Sequence, residues 1–228
     1  MIIYGKQVSL YALEHFENLI KKIYVTKISI LPKELLKKYG PKIKTIDNRW
    51  AQKLSHGGNH QGILVELENI ELPTIEDVKN SNFVLILDSI TDVGNIGAIV
   101  RSAYAFGVEA VVVTGMKQIN LEGVIRASSG AALSLPPIVV PNILELLNEL
   151  KQKNFKVYGA DLDGKGLREA VFAPKRVLIL GSESRGISKR VKEKIDEVYK
   201  IEMKREFDSL NVSAAAAIFL YRMSDGVK

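Results

Sequence analysis

Apolar residues in the second part of the chain fall into short continuous runs, and stretches with helical spacing separate these runs. Continuous apolar runs are typical of parallel strands that are buried on both faces. Strands are therefore predicted at 83–87, 110–114, 157–160, 177–180 and 198–203. Helices are predicted at 96–106, 142–153, 188–193 and 212–223. This alternation predicts an α/β fold, in which a parallel sheet carries helices on both faces.

The first part of the chain alternates shorter elements. Helical spacing predicts helices at 7–21, 32–39 and 48–54, and β-prone stretches predict strands at 23–30, 42–46 and 63–67. The stretch 68–82 is polar and contains Pro73, which is typical of a linker. We therefore predict a small α/β domain at residues 1–70, a linker at 71–81 and a second domain at 82–228.

Composition narrows the possible chemistry. The 228 residues include no cysteine, which excludes disulfides, thiolate metal sites and a cysteine nucleophile. Lysine and arginine number 32 against 26 acidic residues, a net charge of +6. A positive excess suits a polyanionic partner where it is clustered, although lysine-rich surfaces also occur in heat-stable proteins.

No membrane partner is expected. Residues 1–5 lack the basic start and apolar core of a signal peptide, and no apolar run approaches the length of a bilayer span. The absence of cysteine fits a reducing compartment. These features predict a cytoplasmic protein.

A glycine-rich polar loop at 55–62 carries four side chains that could contact a partner: His56, Asn59, His60 and Gln61. Glycines permit unusual backbone angles and a close approach to a ligand. Two histidines without a thiol make a poor metal site, so no metal is predicted. Contact with RNA and simple turn formation both remain open for this loop.

Polar side chains follow three of the predicted strands. Asn95 and Arg101 come after the first strand of the second domain, Glu183 follows Gly181, and Ser209 and Asn211 precede the last helix. Open parallel sheets bind ligands at the carboxyl ends of their strands. Each residue alone also fits a simpler role, as a helix cap or a surface arginine. Neither the phosphate-binding G-x-x-x-x-G-K-[ST] loop nor the dinucleotide G-x-G-x-x-G motif is present in the sequence.

Together these stretches resemble the three motifs of the SpoU family of RNA 2′-O-ribose methyltransferases, within the SPOUT superfamily. The match lies in order and spacing: Asn95 with Arg101, then Gly181-Ser-Glu183, then Ser209-Leu-Asn211-Val-Ser. The segment 126–131 is similar to the family's intervening segment. Residues 4–5 and 60–63 are similar to the family's amino-terminal substrate-binding domain. The resemblance spans nearly the whole chain.

The resemblance implies a fold, a cofactor and a set of site residues. The parallel sheet would end in a C-terminal trefoil knot, and the protein would be a homodimer with its site beside the subunit interface. S-adenosylmethionine (AdoMet) would be the methyl donor, without a metal. Cofactor-binding residues would be Gly181, Ile201, Met203, Ser209 and Leu210. Catalytic residues would be Arg101, Asn95, Glu183, Ser209 and Asn211.

The resemblance also implies a reaction, in which a ribose 2′-hydroxyl attacks the sulfonium methyl. RNA contact would fall to His56, Asn59, His60 and Gln61 in the amino-terminal domain. A 23S rRNA guanosine is the favoured target. A tRNA 2′-O-methyltransferase and a non-catalytic RNA-binding or ribosome-assembly protein are the alternatives.

Overall fold

Two sheets organise the protein, whose computed structural model describes residues 1–182, 185–205 and 209–225. The first part of the chain forms β1 (Ile2–Tyr4), α1 (Lys6–His15), β2 (Ile20–Val25), α2 (Lys33–Tyr39), β3 (Ile43–Thr45), α3 (Asn48–Leu54) and β4 (Ile63–Leu67). Its strands lie in the order β1-β4-β2-β3. The β1–β4 and β2–β4 pairs are antiparallel, and β2 pairs with β3 in parallel.

The second sheet contains six strands. Its elements are α4 (Ile75–Asn80), β5 (Phe83–Asp88), α5 (Val93–Ala105), β6 (Ala110–Val113), α6 (Leu121–Ala127), α7 (Ala131–Ser134), β7 (Ile138–Val139), α8 (Ile143–Gln152), β8 (Lys156–Gly166), β9 (Arg176–Gly181), α9 (Lys189–Lys192), β10 (Glu197–Lys200) and α10 (Val212–Asp225). The strand order is β10-β8-β9-β5-β6-β7, and every pair is parallel. The predicted α/β fold with a parallel sheet is confirmed.

Strand β5 shows why this sheet is covered on both sides. Each of its six residues is buried. Phe83, Leu85 and Leu87 pack into the hydrophobic cluster that contains buried residues of α5, α6 and α10. Val84 and Ile86 point the other way, into a cluster with α4, α8 and α9. Alternating side chains thus bury apolar surface on both faces, which is the pattern of a parallel sheet between two helix layers.

Most second-domain elements match their predictions to within about three residues, with two exceptions. Strand β8 continues to Gly166, whereas its prediction ended at 160. Strand β10 ends at Lys200, whereas the prediction ran to 203. Ile201 and Met203 instead line a cavity beside the sheet edge, so their apolar side chains pack outside the strand ladder.

Two predictions in the first part were wrong in their bounds. The helix predicted at 7–21 ends at His15, and the strand predicted at 23–30 runs from Ile20 to Val25. Leu19 and Ile20 fit the helical spacing of the residues before them, but Ile20 pairs with Leu67 of β4. The spacing of these apolar residues is compatible with a helix and with a strand, and the pairing with β4 decides for the strand.

Several short elements were missed. Strand β1, helices α6 and α7, and strand β7 were not predicted. Helix α4 lies inside the predicted linker, where Thr74 and Asp77 form a reciprocal capping box. Threonine followed three residues later by an acidic residue is a recognisable helix start, so this element could have been found. Among the described residues, no helix is long and apolar enough to cross a membrane.

Helices α5 and α6 approach closely at Gly97. A Cβ atom at this position would lie 2.8 Å from the carbonyl carbon of Ala127, closer than packed atoms normally come. Gly97 is buried, and α5 carries both Asn95 and Arg101. The close packing of α5 on α6 therefore fixes where the side chains of Asn95 and Arg101 lie relative to α6.

We expect Gly97→Ala to lower the free energy of unfolding by about 1–3 kcal/mol, because the added methyl must push α6 outward. Gly94→Ala is the matched control, since its Cβ would meet only the Asp92 carboxylate at 3.2 Å. Alanine is the better helix former, so the control should stay within about 1 kcal/mol of the wild type. Urea unfolding followed by circular dichroism measures both, and equal losses would contradict the packing argument.

Candidate active site

A cavity of about 250 Å³ lies at the carboxyl ends of β8, β9 and β10. The residues before α10 close it, and the side chain of Phe219 on α10 forms part of its wall. The five sequence-predicted cofactor residues all line it: Gly181, Ile201, Met203, Ser209 and Leu210. The structure therefore brings together residues from three separate stretches of sequence. Their individual roles stay predictions.

Gly181 shapes the cavity because it allows the chain to fold back at once. Ser182 forms an antiparallel bridge with Gly186, whose φ of 63° lies in the left-handed region. A Cβ atom on Gly181 would lie under 3.0 Å from the backbone of Gly186 and Ile187. No side chain fits there, so the main-chain groups of the turn lie directly over the end of β9.

Asp88 holds this turn against the sheet. It ends β5, is 5% exposed, and accepts hydrogen bonds from Thr114 Oγ1 at 3.1 Å and from Ser89 Oγ at 3.3 Å. Its other oxygen accepts the backbone N–H of Ser188 at 3.1 Å. A buried carboxylate needs such donors, and here they come from three segments of the chain. Asp88 directly follows the strand predicted at 83–87, and no role is predicted for it from the sequence.

Asn95 and Asn211 are in direct contact. Asn211 Nδ2 donates to Asn95 Oδ1 at 3.1 Å, which links the first turn of α5 to the start of α10. Asn211 Oδ1 accepts from Ser213 N at 2.9 Å and so caps α10. Asn95 lines a groove that shares Ser182 and Val212 with the cavity. The structure therefore shows Asn211 as a helix cap, and its role in a site stays a prediction.

Arg101 does not line the cavity. Its Nη1 donates to Ser129 Oγ at 3.2 Å, and its exposed side chain lines a groove of about 460 Å³ with Tyr11 and Tyr104. Six residues separate it from Asn95 on α5, which is about 9 Å along a helix. Within one copy of the chain, the structure therefore separates Arg101 from the other predicted catalytic residues that it describes. Glu183 lies outside the described residues.

The glycine loop 55–62 holds its four candidate side chains in different ways. His56, Asn59 and Gln61 are exposed, and Gln61 Oε1 accepts the backbone N–H of Lys6 at 2.7 Å. His60 is only 5% exposed, and its Nδ1 accepts the backbone N–H of Gly62 at 3.0 Å. His60 thus supports the loop from within. The described residues contain no group of three or more histidine, cysteine or acidic side chains that could hold a metal ion.

Asp161 is a cavity residue for which no role is predicted from the sequence. It lies where β8 leaves the sheet: β10 pairs with Tyr158 and Gly159, then shifts register to Lys165 and Gly166. The five residues between them, 160–164, are skipped in the pairing with β10, and three of them line the cavity. Asp161 Oδ2 pairs with Lys192 Nζ at 2.5 Å, which ties this segment to α9. Its acidic side chain in an apolar stretch was the available signal.

Tyr199, which lines the cavity, belongs to a cluster of polar side chains on β8 and β10. Tyr199 donates to Glu197 Oε2 at 2.6 Å, and Lys156 forms an ion pair with Glu197. Burial, and then the hydrogen bond to Glu197, raise the pKa of Tyr199 to about 12. The hydrogen bonds from Lys156 and Tyr199 lower the pKa of Glu197. Tyr199 therefore keeps its proton, and with it the hydrogen bond, well above neutral pH.

Known proteins resemble this chain along most of its length. Residues 82–221 match the SpoU rRNA Methylase family, and residues 2–73 match the domain described as RNA 2′-O ribose methyltransferase substrate binding. The chain belongs to the SpoU rRNA methylase family. The resemblance inferred from three short motifs is thereby confirmed.

Individual relatives agree with this assignment. The chain is 31% identical over 189 residues to the 23S rRNA (guanosine-2′-O-)-methyltransferase RlmB of Yersinia pestis, which covers 79% of this chain and 77% of that one. A crystal structure of an RNA 2′-O ribose methyltransferase aligns with a TM-score of 0.77 and 26% identity, over 97% of this chain and 86% of that one.

The methyltransferase AviRb of Streptomyces viridochromogenes, solved in complex with AdoMet, shares the fold. It aligns with a TM-score of 0.74 over 98% of this SpoU-family chain and 89% of that one. The identity is 22%, so this likeness is one of fold alone.

We expect the stability contributed by Tyr199 to fall at high pH. Because its folded pKa is raised above the ordinary value near 10, its contribution is complete below about pH 10 and is lost as the pH rises towards 12. Between pH 9 and 11.5 the wild type should lose roughly 2 kcal/mol more unfolding free energy than Tyr199→Phe.

Urea unfolding of both proteins at the two pH values measures this difference. Other groups titrate equally in both, so only the difference between the slopes counts. Parallel loss in wild type and Tyr199→Phe would show that the phenol titrates normally.

Proposed function

We propose that this protein transfers a methyl group from AdoMet to a ribose 2′-hydroxyl of RNA, with a 23S rRNA guanosine as the favoured target. The observation that carries the proposal is the cavity at the strand ends, lined by all five predicted cofactor residues. The match of residues 82–221 to the SpoU family supports the same reaction. The RlmB relative, named for 23S rRNA guanosine methylation, supports the choice of target.

The cavity suits a bent, partly apolar cofactor. Leu180, Leu210 and Phe219 offer apolar surface to an adenine ring, and the turn at Gly181 presents main-chain groups without a side chain in the way. AdoMet supplies a methyl group that its sulfonium centre already activates. The protein must therefore align the nucleophile and help to remove its proton, with no metal in the mechanism.

Arg101 is proposed to bind an RNA phosphate and orient the ribose hydroxyl. Arginine stays charged in proteins, so a clamp is a better role for it than that of a general base. Its planar fork can hold two phosphate oxygens at once. Asn95 and Asn211, which hydrogen-bond to each other, would fix the ribose and loop geometry together with Glu183 and Ser209.

A homodimer is part of the proposal because Arg101 stands apart from the cavity within one copy. Helix α10 exposes an apolar stripe of Ala214, Ile218 and Tyr221, and Tyr221 is 57% exposed. Tyr104 on α5, one turn after Arg101, is 47% exposed. Exposed apolar surface of this kind is typical of an interface. A dimer through this face would bring Arg101 to the subunit boundary, beside the site.

RNA recognition is proposed to lie in a domain at residues 1–70, joined by residues 71–81 to a methyltransferase domain at 82–228. The match of residues 2–73 to a substrate-binding domain supports this division. His56, Asn59 and Gln61 are exposed and available to RNA, whereas the buried His60 supports their loop. With ribosomal RNA as the substrate, the protein would work in the cytoplasm.

A trefoil knot in the C-terminal part is proposed from the family. The match of residues 82–221 to the SpoU family supports it. A Cβ at Gly164 would lie 2.6 Å from the carbonyl carbon of Tyr199, so β8 and β10 lie in close contact beside the cavity.

We expect the wild type to transfer labelled methyl from AdoMet to an unmodified 23S rRNA transcript, and Arg101→Ala to be at least about 100-fold slower, because the hydroxyl loses its alignment. Alkaline hydrolysis of the product identifies the position. A 2′-O-methyl group blocks cleavage at its own linkage, so the label should appear in dinucleotides.

Four outcomes would change the proposal. Label in mononucleotides alone would indicate base methylation, and label on tRNA transcripts instead of 23S rRNA would indicate the tRNA enzyme. Near-normal turnover by folded Arg101→Ala would remove the role of Arg101. Failure to bind AdoMet in calorimetry would favour the non-catalytic RNA-binding alternative. Arg101→Lys, which keeps the charge without the fork, is the matched variant.

We expect Ile218→Asp to weaken the dimer by roughly 100-fold, because a carboxylate would be buried in an apolar interface at a cost of about 3 kcal/mol. Ile28→Asp is the control, since Ile28 is 56% exposed in the other part of the chain. Light scattering across a dilution series measures both. A wild type that is monomeric at micromolar concentration, or equal effects of the two changes, would contradict this interface.

A further inference from the structure

A further groove, of about 640 Å³, lies between the two parts of the chain. Tyr4, Asn59 and Gln61 line it from the amino-terminal side. Asn120 and Arg126 line it from the side of α6. It is separate from the cavity at the strand ends, with which it shares no lining residue.

Arg126 is a cation without a counter-ion in this groove. Its guanidinium carbon lies 4.1 Å from the centre of the Tyr4 ring, so the fork stacks on the aromatic face. Among the described residues, its side chain forms no ion pair. Glu122, one turn earlier on α6, instead accepts the backbone N–H of Ile2 at 3.3 Å. Arg126 is half-buried, and burial lowers its pKa. Burial of a charge costs free energy unless the charge is paired, so an anionic ligand would stabilise this guanidinium.

Tyr4 is a fixed platform for this guanidinium. Its ring lies against Gly58 of the glycine loop, where a Cβ would come within 2.6 Å of the ring carbon Cε2. The glycine loop therefore contacts the hydroxyl end of the ring, while Arg126 stacks on its face. An arginine stacked in this way has its fork oriented before any ligand arrives, which lowers the entropy cost of binding.

Two amide side chains add donors to the same groove. The Oε1 of Gln61 is occupied by Lys6 N at 2.7 Å, and the Oδ1 of Asn120 is occupied by Gly123 N at 3.0 Å. Since backbone N–H groups take the carbonyl end of each amide, the NH₂ ends are left for a ligand. A guanidinium and two amide NH₂ groups make a surface of hydrogen-bond donors, which matches the acceptor oxygens of a phosphate.

The groove continues towards Arg101. Gln7 and Ser129 line both this groove and the one that contains Arg101, and Ser129 Oγ accepts the Arg101 hydrogen bond. A strand of RNA with phosphates at regular spacing could lie along both. We propose that Arg126, stacked on Tyr4, binds a backbone phosphate of the substrate RNA next to the nucleotide that is methylated. This assignment rests on the proposed function and names one point of RNA contact for it.

The experiment compares the wild type with Arg126→Gln in filter binding to an in vitro 23S rRNA transcript, at several KCl concentrations. Loss of one charge-assisted phosphate contact should weaken binding on the order of tenfold. It should also make the slope of log K against log salt shallower by about 0.7–0.9, the value for one phosphate. AdoMet binding in calorimetry should not change, because Arg126 does not line the cavity.

Control variants distinguish the effects of the Arg126 charge and of its stacking on Tyr4 from a general loss of charge or a loss of folding. Arg190→Gln removes one exposed positive charge on α9, which lies on the opposite face of the sheet, and should leave affinity and slope unchanged. Tyr4→Phe keeps the platform and should behave as the wild type. Tyr4→Leu removes it and should weaken binding in the same direction as Arg126→Gln. Circular dichroism checks that each variant is folded.

Four results would overturn the inference. Arg126→Gln that binds like the wild type would remove the contact, and equal losses in Arg126→Gln and Arg190→Gln would reduce it to general charge. Weaker binding with an unchanged salt slope would exclude a phosphate. Polyglutamate that competes as well as RNA would identify an acidic protein as the ligand. Failure of the proposed function is seen separately, as a wild type that neither binds nor methylates the transcript.

Discussion

The contact that shapes the site is steric: no atom can be added to the α-carbon of Gly181. At that residue β9 ends, and the chain turns back so tightly that Gly186 and Ile187 occupy the space of a side chain. The turn is anchored by the buried carboxylate of Asp88, which accepts the N–H of Ser188. The main-chain groups of Gly181, Ser182 and Gly186 are thereby held together at one point of the sheet edge. Rigid main-chain groups give a binding site its precision without the entropy cost of ordering side chains.

The two motif residues on α5, Asn95 and Arg101, are held by different contacts. Asn95 and Asn211 are joined directly, so the starts of α5 and α10 share one hydrogen bond at 3.1 Å. Arg101 is further along α5 and faces Ser129 and the amino-terminal part of the chain. One helix thus presents a polar residue to the groove beside the strand-end cavity and an arginine to the surface that faces the amino-terminal part of the chain. Packing at Gly97 against Ala127 fixes both positions together.

Sequence reasoning recovered the second sheet because buried parallel strands leave continuous apolar runs, as in β5, whose residues are all buried. It recovered the cavity residues because their motifs resemble a family. It missed Asp88, whose importance lies in donors that come from residues distant in sequence, such as Ser188. It also missed the bulge at 160–164, since a shift of register in β8 leaves no periodic signal. The burial of His60 was equally hidden, because a polar residue in a glycine loop reads as exposed.

The strand order also determines when the site can form as the chain is made. In the central pair of the sheet, Phe83 of β5 lies beside Arg176 of β9, and β10 joins on the far side of β8. Such pairings close long loops, which is slow compared with local helix formation. Every wall of the cavity comes from β8 or later. The amino-terminal sheet, complete at Leu67, can therefore fold during synthesis well before the cavity exists.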